Sequence, residues 1–167
     1  MNSTPNSNRK HIAIYGKTNA GKSSLINKFL GQEVSLVSEK EGTTTDPVQK
    51  AMELIPVGPV LFIDTAGFKD KSSLGEIRAK RTLDILKRTD IAIYVFDALD
   101  IDLEEFNKVK RRFKKYNIPY IVVINQIDRL NESELILLKQ KYKEYSFLSS
   151  VTGEGIEALK EKLIKVL

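Results

Sequence analysis

The sequence predicts an α/β fold of three layers, in which a six-stranded, mostly parallel sheet lies between helices. Short apolar runs alternate with amphipathic segments along the chain, which is the pattern of successive βαβ units. One pair of runs breaks the alternation, because only Pro56-Val57-Gly58 joins them. A link this short cannot hold a crossover helix, so we expect one antiparallel hairpin in the sheet.

The individual elements follow from the same patterns. The apolar runs predict strands over residues 11–15, 48–55, 59–63, 91–97, 119–124 and 145–148. Apolar residues at helical spacing predict helices over residues 22–30, 75–88, 102–116, 131–143 and 154–166. The Asn-, Ser- and Thr-rich residues 1–9 predict a flexible tail, and residues 10–167 predict one folded domain.

The composition excludes several classes of protein. With 41 % hydrophobic and 29 % charged residues, no membrane-length apolar stretch and no signal peptide pattern, we expect a cytoplasmic protein without membrane contact. Zero cysteines exclude disulfides, thiolate catalysis and an iron–sulfur cluster held by cysteine in this chain. The last predicted helix ends with the sequence, which leaves two interpretations open: a complete protein, or one domain of a longer one.

A phosphate-binding loop follows the first predicted strand. Residues 16–23 match the template G-x-x-x-x-G-K-[ST], and a helical pattern follows, which is the context that the template requires. Backbone N–H groups of such a loop converge on phosphate oxygens, Lys22 reaches the β- and γ-phosphates, and Ser23 can ligate Mg²⁺. The alternative is a Gly-rich turn that binds no ligand. The loop predicts a P-loop NTPase fold, with phosphate contacts from Gly16, Thr18, Asn19, Ala20, Gly21, Lys22, Ser23 and Ser24.

Two further segments are candidates for sensing the γ-phosphate. Asp64 and Gly67 follow a predicted strand; the aspartate can hold Mg²⁺ through water, and the glycine N–H can contact the γ-phosphate. The alternative for this segment is an ordinary turn or helix cap. Thr44 lies in a Thr-rich run between Gly42 and Pro47 and could complete the magnesium coordination, unless that run is simply a flexible loop.

The last two candidate segments concern the base. Asp128 follows the strand that ends near Asn125, and its carboxylate could accept two hydrogen bonds from guanine. Adenine has no matching donors and would leave the acceptor unpaired. The backbone amides of the segment 149–155, which begins with Ser149 and Ser150, could contact the guanine carbonyl oxygen. Taken alone, that last segment is equally typical of a capped helix start.

These five motifs, in this order, resemble those of the translation-factor-like small GTPases, and particularly the group that includes MnmE, Era and Der. The segments 42–48, 51–54 and 58–60 are similar to the HydF family, which acts in the maturation of [FeFe]-hydrogenase, although relatives in the wider group carry Arg where Thr45 stands. The resemblance implies binding of GTP and GDP with Mg²⁺, pairing of GTPase domains as a homodimer, and hydrogenase maturation partners reached through a longer parent chain. The iron–sulfur domain of that family is absent from this chain.

The chain departs from the family pattern at several positions. Gln126 stands where the family has a lysine, whose stem packs on guanine and whose amine bonds back to the phosphate loop; we therefore expect weaker nucleotide binding. The last motif has Ser150 where the family has Ala, a mild change if backbone amides make the contact. Phe68 stands where many GTPases place a water-orienting glutamine, which predicts slow hydrolysis.

Asn19 offers a way to compensate for that missing group. An Asn at this position binds K⁺ beside the phosphates in MnmE and its relatives, so the resemblance implies catalysis by Lys22, Asn19, Thr44 and Gly67 with K⁺ stimulation. The alternative is that Thr18-Asn19 is an ordinary turn. Asp70 or Glu76 could orient the attacking water, but their spacing does not distinguish them.

Two other functions compete with hydrogenase maturation. An RNA-associated GTPase of tRNA modification or ribosome assembly is the principal alternative. The densest basic run, residues 108–115, lacks interleaved exposed aromatic residues, so we interpret it as a solvated helix face and do not expect RNA as a partner. An ATP-using P-loop enzyme is the third possibility, and Asp128 argues against it.

Overall fold

The computed structural model describes residues 9–31, 48–65 and 75–167. Several sequence predictions lie outside the described residues: the tail before Arg9, the Thr-rich run with Thr44 and Thr45, and the segment with Gly67, Phe68 and Asp70. For Glu76 only the backbone is described.

Six strands and five helices make up the described chain. The strands are β1 Lys10–Tyr15, β2 Val48–Leu54, β3 Gly58–Asp64, β4 Ile91–Asp97, β5 Tyr120–Asn125 and β6 Ser146–Phe147. The helices are α1 Lys22–Leu30, α2 Gly75–Arg88, α3 Leu103–Lys115, α4 Glu132–Lys141 and α5 Ile156–Val166. Two short 3₁₀ helices, Thr18–Ala20 and Ile127–Arg129, follow β1 and β5.

The strands form one sheet in the order β2-β3-β1-β4-β5-β6. Among the described strands only β2 and β3 pair antiparallel, with Val48 opposite Asp64 and Leu54 opposite Gly58; the other neighbours are parallel. The predicted six-stranded, mostly parallel sheet with one hairpin is therefore confirmed. The order places β1 between β3 and β4, so the loop after β1 lies in the middle of the sheet edge.

Element boundaries differ from the predictions by a few residues. The last helix begins at Ile156 rather than at 154, because Gly153 and Gly155 adopt positive φ angles of 89° and 82° that a helix does not allow. Helix α4 begins after Asn131, whose side chain accepts from the Glu134 amide while the Glu134 side chain accepts from the Asn131 amide. This reciprocal pair is a capping box, and it ends the preceding loop.

Both faces of the sheet are covered by apolar side chains. Alternation along β1 sends Ile12 and Ile14 to the face that packs with α1 and α5, and Ala13 and Tyr15 to the face that packs with α3. As the sequence pattern predicted, Phe106 and Phe113 of α3 are buried, whereas most cations of residues 108–115 are exposed. In the three described ranges, no helix has both the length and the apolar character needed to cross a membrane.

Candidate functional site at the carboxyl edge of the sheet

The phosphate-loop template lies where four strands of the sheet end. Because β1, β3, β4 and β5 are parallel, their carboxyl ends meet at one edge, and the candidate residues follow them there. Gly16 has φ 146°, and a Cβ atom on it would lie 2.3 Å from the carbonyl oxygen of Val95. Gly21 has φ 83°, and a Cβ atom there would lie 2.8 Å from Nδ2 of Asn125. Both template glycines are therefore required by close neighbours as well as by backbone conformation.

Lys22 lies over the phosphate loop. Its Nζ donates hydrogen bonds of 2.7 Å to the carbonyl oxygens of Gly16 and Lys17, and the residue is only 3 % exposed. The ammonium group is therefore held at the loop by the loop's own backbone. Thr18, Asn19, Ser23 and Ser24 are exposed beside it, in the 3₁₀ turn and in the first turn of α1.

Two of the three predicted magnesium ligands, Ser23 and Asp64, are in direct contact. The Ser23 hydroxyl donates to Asp64 Oδ2 at 2.9 Å, although the two residues are far apart in the chain. The Thr65 hydroxyl donates to the carbonyl oxygen of Ile14 at 2.8 Å, which fixes the end of β3 against β1. A hydroxyl and a carboxylate oxygen are donors of the kind that Mg²⁺ prefers, so this pair fits the predicted ion.

An aspartate that the sequence analysis did not select holds the loop from the other side. Asp97 ends β4 and is 6 % exposed; its Oδ2 accepts from Nδ2 of Asn19 at 3.0 Å and its Oδ1 accepts from the Leu99 amide at 3.0 Å. The sequence signal that could have found it is its position at the carboxyl end of a predicted parallel strand. Because the Asn19 nitrogen faces Asp97, the amide oxygen is the atom available for a cation.

Lys17 attaches the phosphate loop to the segment after β4. Its Nζ lies 3.0 Å from Asp100 Oδ2 and 3.3 Å from Asp102 Oδ2. These hydrogen bonds raise the pKa of Lys17, and the pKa of Asp102 is lowered by the hydrogen bond from the Glu105 amide and then by Lys17. All three side chains are substantially exposed, so these two ion pairs contribute little to stability. Their effect is to restrain the position of the phosphate loop.

Asn125 joins three parts of the site and is completely buried. Its Nδ2 donates to the Ala20 carbonyl at 2.9 Å and to the Ser150 hydroxyl at 3.1 Å. Its Oδ1 accepts from the amides of Gln126 at 2.8 Å and Ser150 at 3.0 Å. One side chain therefore connects the phosphate loop, the segment after β5 and the segment before α5.

The carboxylate expected to bind guanine is held by the last motif. The Ser149 hydroxyl donates to Asp128 Oδ1 at 2.7 Å and accepts from the amides of Val151 and Thr152. Asp128 is exposed, whereas Ser149 is fully buried. The serine thus fixes one oxygen of the aspartate in place.

Ser149 and Ser150, whose segment we predict to contact guanine through backbone amides, also make hydrogen bonds within the protein. The Ser149 amide donates to the carbonyl oxygen of Glu154 at 2.9 Å, and the Ser150 amide donates to Asn125. Both amides have protein acceptors because the segment turns tightly into α5. In this structure the two serines position Asp128 and Asn125 through their hydroxyls and amides.

Gln126 contacts the phosphate loop from the side of β5. Its φ of 69° is left-handed, which is uncommon for a residue other than glycine. Its Nε2 donates to the Asn19 carbonyl at 2.9 Å, and its Oε1 accepts from Arg129 Nη1 at 2.7 Å. The contact back to the phosphate loop, which the family makes with a lysine amine, is made here by a glutamine amide.

The fold and this arrangement define a P-loop GTPase domain. Residues 11–126 match the family described as 50S ribosome-binding GTPase, and the chain belongs to that family. The predictions of a P-loop fold and of a GTPase are confirmed.

Individual relatives agree with this assignment. The chain is 34 % identical to the tRNA modification GTPase MnmE of Christiangramia forsetii, over 92 % of this chain and 36 % of that protein. It is 36 % identical to the GTPase Der of Helicobacter hepaticus, over 99 % of this chain and 37 % of that protein. The chain thus spans about a third of the length of these curated relatives.

Two solved structures of Era have similar folds. Era of Aquifex aeolicus bound to GDP and AlF4⁻ has a TM-score of 0.70 at 28 % identity, covering 94 % of this chain and 56 % of that one. Era in complex with MgGDPNP and a segment of 16S ribosomal RNA has a TM-score of 0.70 at 29 % identity, covering 95 % of this chain and 56 % of that one. The latter complex conflicts with our expectation that RNA is not a partner. The names of these four relatives do not refer to hydrogenase maturation, so they do not support the closer resemblance to HydF.

Proposed function

We propose that this domain binds GTP with Mg²⁺, hydrolyses it slowly, and serves as the GTPase module of an RNA-associated protein of tRNA modification or ribosome assembly. The proposal of a nucleotide site rests mainly on the hydrogen bonds of the Asn125 side chain. Its four hydrogen bonds join Ala20 of the phosphate loop, Gln126 and Ser150 at one edge of the sheet, and Asp128 lies two residues after Gln126. A ligand with phosphates at one end and guanine at the other matches that arrangement.

The proposed contacts follow from the positions of the side chains. Lys22 and the backbone of residues 16–24 bind the phosphates, and Asp128 accepts from the guanine N1–H and amino groups. Ser23 and Asp64 hold Mg²⁺ directly or through water, and Thr44 and Gly67 are proposed to complete the γ-phosphate site. The metal neutralises developing charge during phosphoryl transfer. Because an ammonium group has three donors, Lys22 can also donate to phosphate oxygens of GTP.

Hydrolysis is proposed to depend on K⁺ and on pairing of two GTPase domains. Phe68 cannot orient water, so the intrinsic rate should be low. The contact between Asp97 and the Asn19 nitrogen supports a K⁺ site, because it directs the Asn19 oxygen away from the aspartate. Turnover should rise in K⁺ relative to Na⁺ and should increase with protein concentration; equal turnover in both buffers at every protein concentration would contradict this part.

Guanine recognition is tested with Asp128→Asn. This substitution replaces one acceptor with a donor, so GTP affinity should fall by at least tenfold and xanthosine triphosphate should become the preferred ligand. Asp84→Asn on the exposed face of α2 is the matched control and should leave both affinities unchanged. If Asp128→Asn keeps GTP affinity at the level of the control, the base site is misassigned.

The RNA part of the proposal is supported by the relatives and by α3. Five cations of this helix are exposed: Lys108, Arg111, Arg112, Lys114 and Lys115. Because α3 runs back across the sheet, its basic carboxyl end lies at the edge opposite the phosphate loop. RNA bound there through its phosphates would leave the nucleotide site open.

Gel-shift and filter-binding measurements with tRNA and 16S rRNA test this surface. The triple variant Lys108→Glu, Arg111→Glu and Lys115→Glu should weaken binding by more than tenfold and lower its salt dependence. A matched reversal of Lys80, Lys87 and Lys165, which are exposed elsewhere, should have a much smaller effect. Equal losses in the two triple variants would indicate general electrostatics and not an RNA surface.

Metallocluster maturation is the second candidate function. It is supported by the β2–β3 hairpin, whose residues 51–54 and 58–60 are those that resemble HydF. A cluster of Cys and His residues encoded after Leu167, together with activation of [FeFe]-hydrogenase by the full-length protein, would favour it. Specific RNA binding without such a cluster would favour the first function.

A further inference from the structure

Gln126 lies between the two ends of the proposed nucleotide site. Its amide nitrogen bonds to the phosphate loop at the Asn19 carbonyl, and it lies two residues before Asp128. A Cβ atom on Gly21 would be 3.4 Å from the same nitrogen, so the glutamine side chain packs directly on the loop. A nucleotide that spans from the phosphate loop to Asp128 must therefore pass this side chain.

The other end of the glutamine amide is fixed by Arg129. The guanidinium Nη1 donates to Gln126 Oε1 at 2.7 Å, which orients the amide so that its nitrogen faces the loop. The bond from Arg129 holds the amide oxygen away from the loop and so restricts the rotation of the amide whose nitrogen donates to the Asn19 carbonyl. A charged donor also makes a stronger hydrogen bond than a neutral one.

The backbone supports the same interpretation. Gln126 is one of two described residues other than glycine with a positive φ, and the conformation is held by the bond from its amide to Asn125 Oδ1. Strained backbone of this kind persists where the surrounding structure over-determines it, typically at binding sites. The 3₁₀ turn Ile127–Arg129 then brings the arginine back over the glutamine.

We infer that Arg129 is a positioning residue for nucleotide binding, acting through Gln126 on the phosphate loop. The chain Arg129–Gln126–Asn19 couples the base-reading segment to the phosphate loop and places a permanent positive charge beside the bound nucleotide. Gln126 supplies the contact to the phosphate loop and Arg129 supplies the positive charge, the two contributions that the family obtains from a single lysine. This inference rests on the proposed guanine nucleotide site.

The test compares the affinities of single and double variants for fluorescently labelled GDP. Gln126→Ala and Arg129→Ala should each weaken binding by about fivefold, the range expected for one or two exposed hydrogen bonds. Because the residues act in series, the double variant should lose about fivefold and not twenty-fivefold. Arg129→Lys should recover part of the loss. Gln126→Lys should bind GDP at least as tightly as the parent. In that background, Arg129→Ala should change the affinity for GDP very little.

Two readouts separate positioning from a structural role. Melting temperatures of the nucleotide-free variants should stay within about 1 °C of the parent, because both bonds are exposed. The loss should appear mainly as faster GDP dissociation. Arg88→Ala, an exposed arginine at the end of α2, is the matched control and should change neither quantity.

Different outcomes refute different statements. Additive losses in the double variant, or affinity for Arg129→Ala within the error of Arg88→Ala, overturn the inference while Asp128→Asn still abolishes GTP preference. If Asp128→Asn also leaves GTP binding unchanged, the proposed nucleotide site itself is wrong and the inference fails with it.

Discussion

Replacing Asn125 with alanine removes the side chain that joins the phosphate loop to the two segments around the proposed base site. The side chain is completely buried and makes four hydrogen bonds. Each such bond contributes about 1 kcal/mol net, and a buried polar group left without a partner costs about 1–3 kcal/mol. The buried Ser150 amide and the Ala20 carbonyl lose this partner. Allowing for partial relaxation, we expect a loss of about 3–4 kcal/mol in the free energy of unfolding.

Urea denaturation of the nucleotide-free protein measures this loss directly. With a slope of about 2 kcal/mol per molar urea, the midpoint should fall by about 1.5–2 M while the slope stays constant. Asn107→Ala on the exposed face of α3 is the control, and it should change stability by less than about 0.5 kcal/mol. GTP affinity should also fall, since the loop and Asp128 lose their common support.

The Asn125→Asp variant separates the donor role of this side chain from its acceptor role. It keeps the acceptor for the two amides but places a second oxygen 2.9 Å from the Ala20 carbonyl, where Nδ2 stood. It should therefore be at least as destabilised as Asn125→Ala at pH 7. If either variant lost less than about 1 kcal/mol, these bonds would not be what holds the site together.

Three further predictions concern the loop, the core and the last motif. Gly16→Ala should destabilise the protein and abolish GTP binding, because its Cβ would lie 2.3 Å from a β4 carbonyl oxygen; Gly31→Ala, also at positive φ but with open space around it, should cost about 1 kcal/mol in thermal unfolding. Tyr15→Phe should be neutral or stabilising, because the Tyr15 hydroxyl is buried without a hydrogen-bond partner among the described residues. Burial raises the pKa of Tyr15 to about 12, which is above the value in the unfolded chain. The parent should therefore lose stability as the pH rises from about 10 to about 12, and Tyr15→Phe should lose less. Equal losses for the two proteins in denaturation measured across this pH range would refute the prediction. Ser149→Ala should lower the free energy of unfolding by about 2 kcal/mol and weaken GTP binding, because it removes the hydrogen bond that holds Asp128. The exposed Ser133→Ala should change neither stability nor GTP affinity. Urea denaturation and GTP titration measure both quantities.

Local patterns predicted most of the elements and the positions of the motifs. The phosphate loop between β1 and α1, the β2–β3 hairpin and the buried face of α3 all follow from spacings within about fifteen residues of one another. Such spacings reflect helix and strand periodicity, which the chain carries locally. The boundary at Ile156 was missed because it depends on two glycines whose positive φ values arise in the folded turn.

The partners within the site could not be predicted in the same way. Asp97 was not selected, because nothing in its own segment shows that Asn19 will lie 3.0 Å away. The sequence also does not show that the Ser149 amide donates to the Glu154 carbonyl and the Ser150 amide to Asn125. The sequence predicts weaker nucleotide binding from Gln126, but it does not show that Arg129 will donate to the glutamine oxygen.

The sequence by itself determined the class of this protein: a P-loop template between a strand and a helix, an Asp-Thr-Ala-Gly segment and an Asn-x-x-Asp segment specify a GTPase, because each chemical role requires particular residue types at fixed short spacing. Only the tertiary structure decided which of these residues act together. The central position of β1 in the sheet brings Gln126 and Asn19, which are 107 positions apart, into contact. Strand order is set by packing of the whole sheet between its two helical layers, so the contacts that hold the site exist only once that packing is complete.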